Sequence, residues 1–463
     1  MKRKHLLYPL IIGIFTALIW FIIDRGERLA SVQEATAAGS DGLFAELLGH
    51  VRHPLSMLLL QIIVILCVSR LFGYLAWLIR QPAVVGEIVA GVVLGPSLLG
   101  WCWPEAMHAI FPASTLNNLQ FLSQIGLAFF MFIVGMELDI SKIRQKAHDA
   151  VMISHASIII PFFLGVCLAY FTYRQFAPAH VSFLSFALFM GIAMSVTAFP
   201  VLARIVQERG LTGTPLGTMA ITCAAADDIT AWCILAVVVA IVKAGGFLSA
   251  VVTICLAVLF VVAMLIIVRP WLKRRMSGLS GTKTKVALGF FVLLIAGYMA
   301  EVIGIHLLFG AFLAGVIMPA EANIKQVLTD KLEDVSIVIL LPIFFAFTGL
   351  RTQIGLLNEG HLWAVFGAIM LVAVGGKFAG SALTARLVGQ SWQDSLSIGA
   401  LMNTRGLMEL VVLNIGYDLG ILRPDVFAML VLMALATTFM TGPLLDAIGY
   451  YYAPFRRHAG FKG

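Results

Sequence analysis

The sequence predicts an all-α polytopic membrane protein of about fourteen transmembrane helices, and three observations carry that prediction. Of its 463 residues, 60% are hydrophobic and 12% charged, with a mean hydropathy of +0.98, whereas a soluble domain has about 25% charged residues. The apolar residues gather in runs long enough for a bilayer core, which takes about 20 helical residues. The basic residues between those runs alternate in density from one loop to the next, as the Lys and Arg excess of cytoplasmic loops requires.

Runs bounded by Pro, Gly and charge clusters cover 6–23, 55–78, 83–99, 117–137, 150–173, 182–203, 215–242, 247–268, 284–302, 304–318, 335–350, 361–385, 394–416 and 426–448. The run 83–99 carries Glu87 and many glycines, and 304–318 is short. With the N-terminus cytoplasmic and the spans alternating, 21 of the 31 Lys and Arg residues fall on the cytoplasmic side and seven outside. Arg70, Lys377 and Arg405 remain inside spans. This asymmetry predicts that both termini are cytoplasmic. The first run is read as a span and not a cleaved signal, because the small-residue site near Ala35–Ala38 lies well beyond its apolar core. The net charge of +7 has its source in these loops, so no nucleic-acid partner is expected. The six cysteines have no metal-ligand spacing and lie almost wholly in apolar runs, which argues against a disulfide framework.

Two pairs of segments match across the chain. FFMFIVGMELDI (129–140) is similar to FFAFTGLRTQI (344–354), and GIAMSVTAFPVL (191–202) to GALMNTRGLMEL (399–410). In the second pair polar residues interrupt the apolar run at the same place: Ser195 and Thr197 in one copy, Asn403, Thr404 and Arg405 in the other. The offset is seven spans, an odd number, so the two copies face opposite ways, as inverted repeats of transporters do. Residues 55–243 then form repeat 1 and 284–448 repeat 2. The stretch 244–283 is a linker helix with a basic cytoplasmic loop, 1–54 an additional helix with an external loop, and 449–463 a short cytoplasmic tail. Pro200 has no N–H to continue a helix, and Gly406 invites a similar break. Unwound backbone inside a membrane is tolerable only around a cavity or ion site, so these two interrupted spans point to the binding site.

Charge inside the spans points to the same place. Asp227 and Asp228 lie side by side in AAADDITAW, in the middle of a span, where an Asp costs about 2.5–3.5 kcal/mol on insertion scales. Neighbours on a helix point about 100° apart, so one can face a cavity and the other a neighbouring helix. Lys377, in VGGKFAGSA, is central in its own span, and one of the two aspartates is its natural partner. Arg405 and Glu409 are four residues apart and can pair on one helix face, supporting the crossing. Glu87, and Glu301 with His306, have no assigned role; Glu137 and Asp139 read as a solvated helix end.

Seven ordered motifs between residues 55 and 448, among them PAVVGEIVAGVVLGPSLLG, SVTAFPVLARIV, AAADDITAWCILA and MNTRGLMELVVLNIG, resemble the second branch of the monovalent cation–proton antiporter superfamily. That branch includes bacterial sodium–proton antiporters, Kef-type potassium efflux systems and plant cation–proton exchangers. The resemblance implies a sodium/proton-antiporter-like fold, a homodimer in the bacterial inner membrane surrounded by lipid, and no cofactor. It implies exchange of Na⁺ or K⁺ for protons. By motif, Asp228 resembles the ion-binding aspartate and Asp227 the preceding acid of electrogenic members. Lys377 resembles the lysine that pairs with that preceding acid. Ser195 and Thr197 fall on the crossing helix that helps hold the ion, with Pro200, Asn403, Arg405 and Glu409 supporting the crossing. Many potassium-efflux members carry a regulatory nucleotide-binding domain after the last span. Only 15 residues follow residue 448 here, so none is expected in this chain.

Two rival classes are weaker. A channel needs a selectivity filter, and no TVGYG-like loop is present. An intramembrane aspartyl protease brings its two acids from two helices, whereas adjacent Asp227 and Asp228 cannot both face one scissile bond. An enzyme is therefore not expected.

Overall fold

The computed structural model describes residues 2–27, 53–79, 81–137, 147–211, 213–243, 247–279, 281–319 and 324–452. Residues 28–52 of the expected external loop, Asp139 and the tail beyond Tyr452 lie outside the described residues. The chain divides into two compact units, Met1–Met57 and Leu58–Gly463. Among the described residues the first holds α1 (Lys2–Glu27). Its Leu18, Trp20 and Ile22 are exposed.

The second unit is all-helical among the described residues. It runs through α2 (Pro54–Leu78), α3 (Ala83–Leu94), α4 (Leu116–Glu137), α5 (Ala147–Phe176), α6 (Phe183–Ser195), α7 (Phe199–Glu208) and α8 (Pro215–Lys243). After these come α9 (Phe247–Ala263), α10 (Thr282–Ile303), α11 (Leu307–Val316), α12 (Ile324–Val335), α13 (Leu341–Leu350) and α14 (Gly360–Val374). The last four are α15 (Gly380–Leu387), α16 (Trp392–Met402), α17 (Leu407–Asp418) and α18 (Pro424–Tyr452). Among the described residues, twelve helical stretches are long and apolar enough to cross a membrane. The twelve leave out two of the fourteen expected runs. The run 6–23 lies within α1. The run 304–318 forms only the ten-residue α11, about 15 Å of helix against a hydrocarbon core of about 30 Å. Its start is set by Gly304, in the left-handed region at φ 95, and by Glu301, whose Oε2 accepts the Leu307 N–H at 2.9 Å.

The helices pack as two sets. One comprises α3, α4 and α10–α13; the other comprises α5–α8 and α14–α18, with α9 leading from α8 to α10. In the first set two crossings are so close that no side chain fits. A Cβ on Gly349 would lie 2.3 Å from the Gly91 carbonyl carbon, and one on Gly315 would lie 2.2 Å from Phe132 O. Small residues let membrane helices approach to backbone contact, where dispersion replaces the absent hydrophobic drive. Gly349→Ala is therefore expected to destabilise the protein by about 1–3 kcal/mol through overpacking. Gly367→Ala, where nothing lies within 4 Å of the added Cβ, is the control. Thermal melts in detergent compare the two, and equal melts would remove the close crossing as a source of stability.

Candidate functional site

Two interrupted spans meet in the second set. The helix α6 stops at Ser195 because Val196 and Ala198 are extended, and α7 restarts at Phe199 with Pro200 in its first turn. A proline there forfeits no hydrogen bond, since first-turn N–H groups lack intrahelical acceptors. The break thus falls just before Pro200, which acts as a helix starter. The second break follows Met402 and ends at Gly406, before α17. The unwound segments are joined: the Ala198 N–H donates to Thr404 O at 3.1 Å, and Thr197 Oγ1 lies 3.4 Å from Met402 O. Thr438 of α18 receives the Arg405 N–H and donates to Arg405 O.

Breaking α6 leaves its last carbonyls without helical partners, at the negative end of the helix dipole. Two buried cations take them. Arg405 donates to Ala193 O and Met194 O, both at 2.5 Å, and Lys377 donates to Ser195 O. Arg405 also pairs with Glu409 Oε2 at 2.5 Å, as the four-residue spacing suggested. Lys377 lies in a wide π-helical turn, Gly375–Ala379, between α14 and α15. Such turns recur at functional sites.

The two aspartates have opposite surroundings, although both are buried. Asp227 is fully engaged. Its Oδ1 accepts from Ser154 Oγ at 2.6 Å. Its Oδ2 accepts from Ser157 Oγ at 2.7 Å, Thr197 Oγ1 at 2.6 Å and Lys377 Nζ at 3.1 Å. Lys377 also donates to Ser157 O at 3.0 Å. Asp228 makes no hydrogen bond through either oxygen. The backbone N–H of Phe199, at the positive end of α7, is directed towards it without closing one of normal geometry. The side-chain amide of Asn403 is also buried and unpartnered at both atoms.

Asp227, Lys377 and Thr197 come together, as do Arg405 and Glu409. The expected ligand set of Asp228 with Thr197, Ser195 and freed carbonyls is not gathered in this arrangement. Thr197 turns its hydroxyl to Asp227. Ser195 Oγ bonds back to Ile192 O at 3.0 Å. The carbonyls of residues 193–195 are taken by Arg405 and Lys377. The reason is electrostatic: donors collect on the carboxylate that shares an oxygen with a cation. Sequence reasoning missed Ser154 and Ser157. Their signal was two hydroxyls three residues apart in an apolar span, which places both on one face of α5.

With all five ionised, Asp227, Asp228, Lys377, Arg405 and Glu409 sum to one net negative charge. A buried cluster lacking one positive charge can take one monovalent cation or one proton. The family described as sodium/hydrogen exchanger, transmembrane, matches residues 57–448. The chain belongs to that family.

Its relatives carry both sodium and potassium names. The chain is 43% identical over 408 residues to the Na⁺/H⁺ antiporter NhaS4 of Synechocystis sp., covering 87% of this chain and 99% of that one. It is 39% identical over 410 residues to cation/H⁺ antiporter 17 of Arabidopsis thaliana, covering 86% and 49%. It is 34% identical over 409 residues to K⁺/H⁺ antiporter 1 of Saccharomyces cerevisiae, covering 85% and 46%. The chain thus spans nearly all of the cyanobacterial relative and about half the length of the plant and yeast ones. The fold is similar to that of the sodium proton antiporter MjNhaP1 from Methanocaldococcus jannaschii, with a TM-score of 0.62 at 14% identity over 86% of this chain and 98% of that one. The relatives found by sequence are antiporters and not enzymes.

Proposed function

We propose that the protein is a secondary transporter that exchanges Na⁺ or K⁺ for protons by alternating access. The observation that carries this reading is Asp228: buried, without a hydrogen bond of normal geometry, in a cluster that is one positive charge short when its five groups are ionised. A proton and a dehydrated monovalent cation compete for that carboxylate. Either one neutralises the cluster and lets the α5–α8, α14–α18 set move against the other set. The exchange is electrogenic, because Lys377 on Asp227 offers a second place where a proton is bound and released. Two protons against one cation move one net charge, worth about 2.3 kcal/mol per 100 mV.

An inverted repeat, residues 55–243 and 284–448, underlies the movement. Supporting it, α3 crosses α13 at Gly91 and Gly349, while α11 crosses α4 at Gly315 and Gly135. Under the proposed correspondence, in which α3 matches α11 and α4 matches α13, these are one contact repeated. The two copies then face opposite ways only if α11 counts as a crossing. With α1 crossing as well, fourteen crossings leave both termini cytoplasmic; by its family resemblance the protein is read as a homodimer of the bacterial inner membrane.

Proteoliposomes with an imposed potential test the reading, with Na⁺, K⁺, Li⁺ and Rb⁺ compared. Cation-driven proton movement that responds to the potential is the expected result, and the ranking of ions assigns the substrate. Exchange indifferent to the potential would remove the second proton. Cation flux without any proton coupling, in folded protein, would favour a channel.

A further inference from the structure

At the far end of α17 from the break, a polar seam joins the two helix sets. Arg351, which ends α13, donates from Nη1 to Asp418 Oδ1 at 2.8 Å and to Asn414 Oδ1 at 3.2 Å. Gln120 of α4 donates to Asp418 Oδ2 at 3.2 Å. Asn414 Nδ2 donates to Thr348 Oγ1 of α13 at 2.8 Å. The Arg351 guanidinium also lies 4.2 Å from the Phe347 ring centroid and 5.3 Å from that of Tyr417, a stacking geometry that holds it in place. Every donor or acceptor on one side of this seam belongs to the α3–α4, α10–α13 set. Every one on the other side belongs to α17.

The seam residues line a small cavity of about 20 Å³ together with Ser123, Gln124, Leu127, Phe344 and Val411. That is room for about one water. The seam therefore borders a cavity too small for an aqueous path, at the end of the molecule that the Lys and Arg distribution assigns to the outside. The helix it grips is continuous with the crossing. Leu407, the first residue of α17, follows Arg405 by two positions, and twelve residues of helix carry any displacement to Asp418 over about 18 Å.

We propose that Arg351, with Asn414 and Asp418, is a positioning residue that holds the site closed to the outside, and that this latch opens once in each transport cycle. This rests on the alternating-access reading above. A pair that must break for outward opening lowers the population of the outward-open form. The apparent affinity for an outside cation falls by the same factor. Arg351 acts through α17 and does not touch the ion.

Two measurements test it. In oriented proteoliposomes, Arg351→Ala lowers the apparent KM for the outside cation by about tenfold, the worth of one charge-assisted hydrogen bond, with the inside KM unchanged. Separately, Ser123→Cys is introduced with the six native cysteines replaced by serine, and its reaction with a membrane-impermeant maleimide is timed. The expected labelling is slow with Arg351 present and about tenfold faster with Arg351→Ala. Asp418→Asn gives the same acceleration, and the double substitution adds little to either, because both remove one pair. Native-rate labelling in Arg351→Ala, or effects that add in full, overturns the latch. If the unsubstituted protein exchanges nothing, the functional reading fails, while the labelling rates still decide whether the seam closes that end.

Discussion

Asp228→Asn is expected to abolish cation–proton exchange while leaving a folded protein that melts no lower than the original. The substitution keeps the shape of the side chain and removes its charge and its proton. Neither Asp228 oxygen has a hydrogen-bond partner of normal geometry, and the Asn amide oxygen can still face the Phe199 N–H, so no neighbouring donor is stranded by the change. A buried charge without a partner is costly to keep, so its removal leaves stability equal or higher. Transport is another matter. The cluster loses its one uncompensated negative charge, and with it the attraction that strips a cation of water. At 4 Å and an effective dielectric of 20 that attraction is about 4 kcal/mol, so a loss of at least about a hundredfold in exchange rate follows. Proton movement driven by an imposed cation gradient in vesicles reads the rate, and a melt reads the fold. Native exchange rates in Asp228→Asn vesicles would refute the site assignment outright.

How much of this was legible beforehand differs by kind of residue. The spans could be read because hydrocarbon demands long apolar runs, and that demand is local. The exception is instructive: 304–318 has a fitting composition but only ten helical residues, because Gly304 and Glu301 start α11 late, and composition alone does not register a helix start. The pairing of Lys377 with an aspartate was legible because few charges lie inside spans and each needs a partner. Which aspartate it takes was left open by the residues and answered only by analogy. The answer depends on Ser154 and Ser157, whose hydroxyls sit on a different helix, some 70 residues away in sequence. Serine in a membrane span is common enough that spacing alone does not single out a clamp. The fate of the α6 carbonyls was equally hidden. Breaking a helix frees carbonyls, which reads as a ligand set. That Arg405 reaches back to cap them is a fact of three-dimensional proximity.

Lys377→Ala is expected to be the most destabilising single change at the site, by about 3–5 kcal/mol, the usual cost of removing one partner of a buried pair. The lysine directs its ammonium to acceptors on three elements: Asp227 on α8, Ser157 O and Oγ on α5 and Ser195 O at the end of α6. Without it, Asp227 retains three hydroxyl donors but no countercharge, and the Ser195 carbonyl at the negative end of α6 loses its cap. The test is a comparison of melts between Lys377→Ala and the double substitution Asp227→Asn/Lys377→Ala. Removing both charges should recover most of the loss, since a buried pair replaced whole is near neutral while a broken one is not. The same pair of variants separates stability from transport. The double variant keeps Asp228, so it should still bind and exchange a cation, but without response to the membrane potential. A single Lys377→Ala that melts like the original would mean that the hydroxyls of Ser154, Ser157 and Thr197 hold Asp227 without it. The lysine would then contribute charge to transport and nothing to the fold.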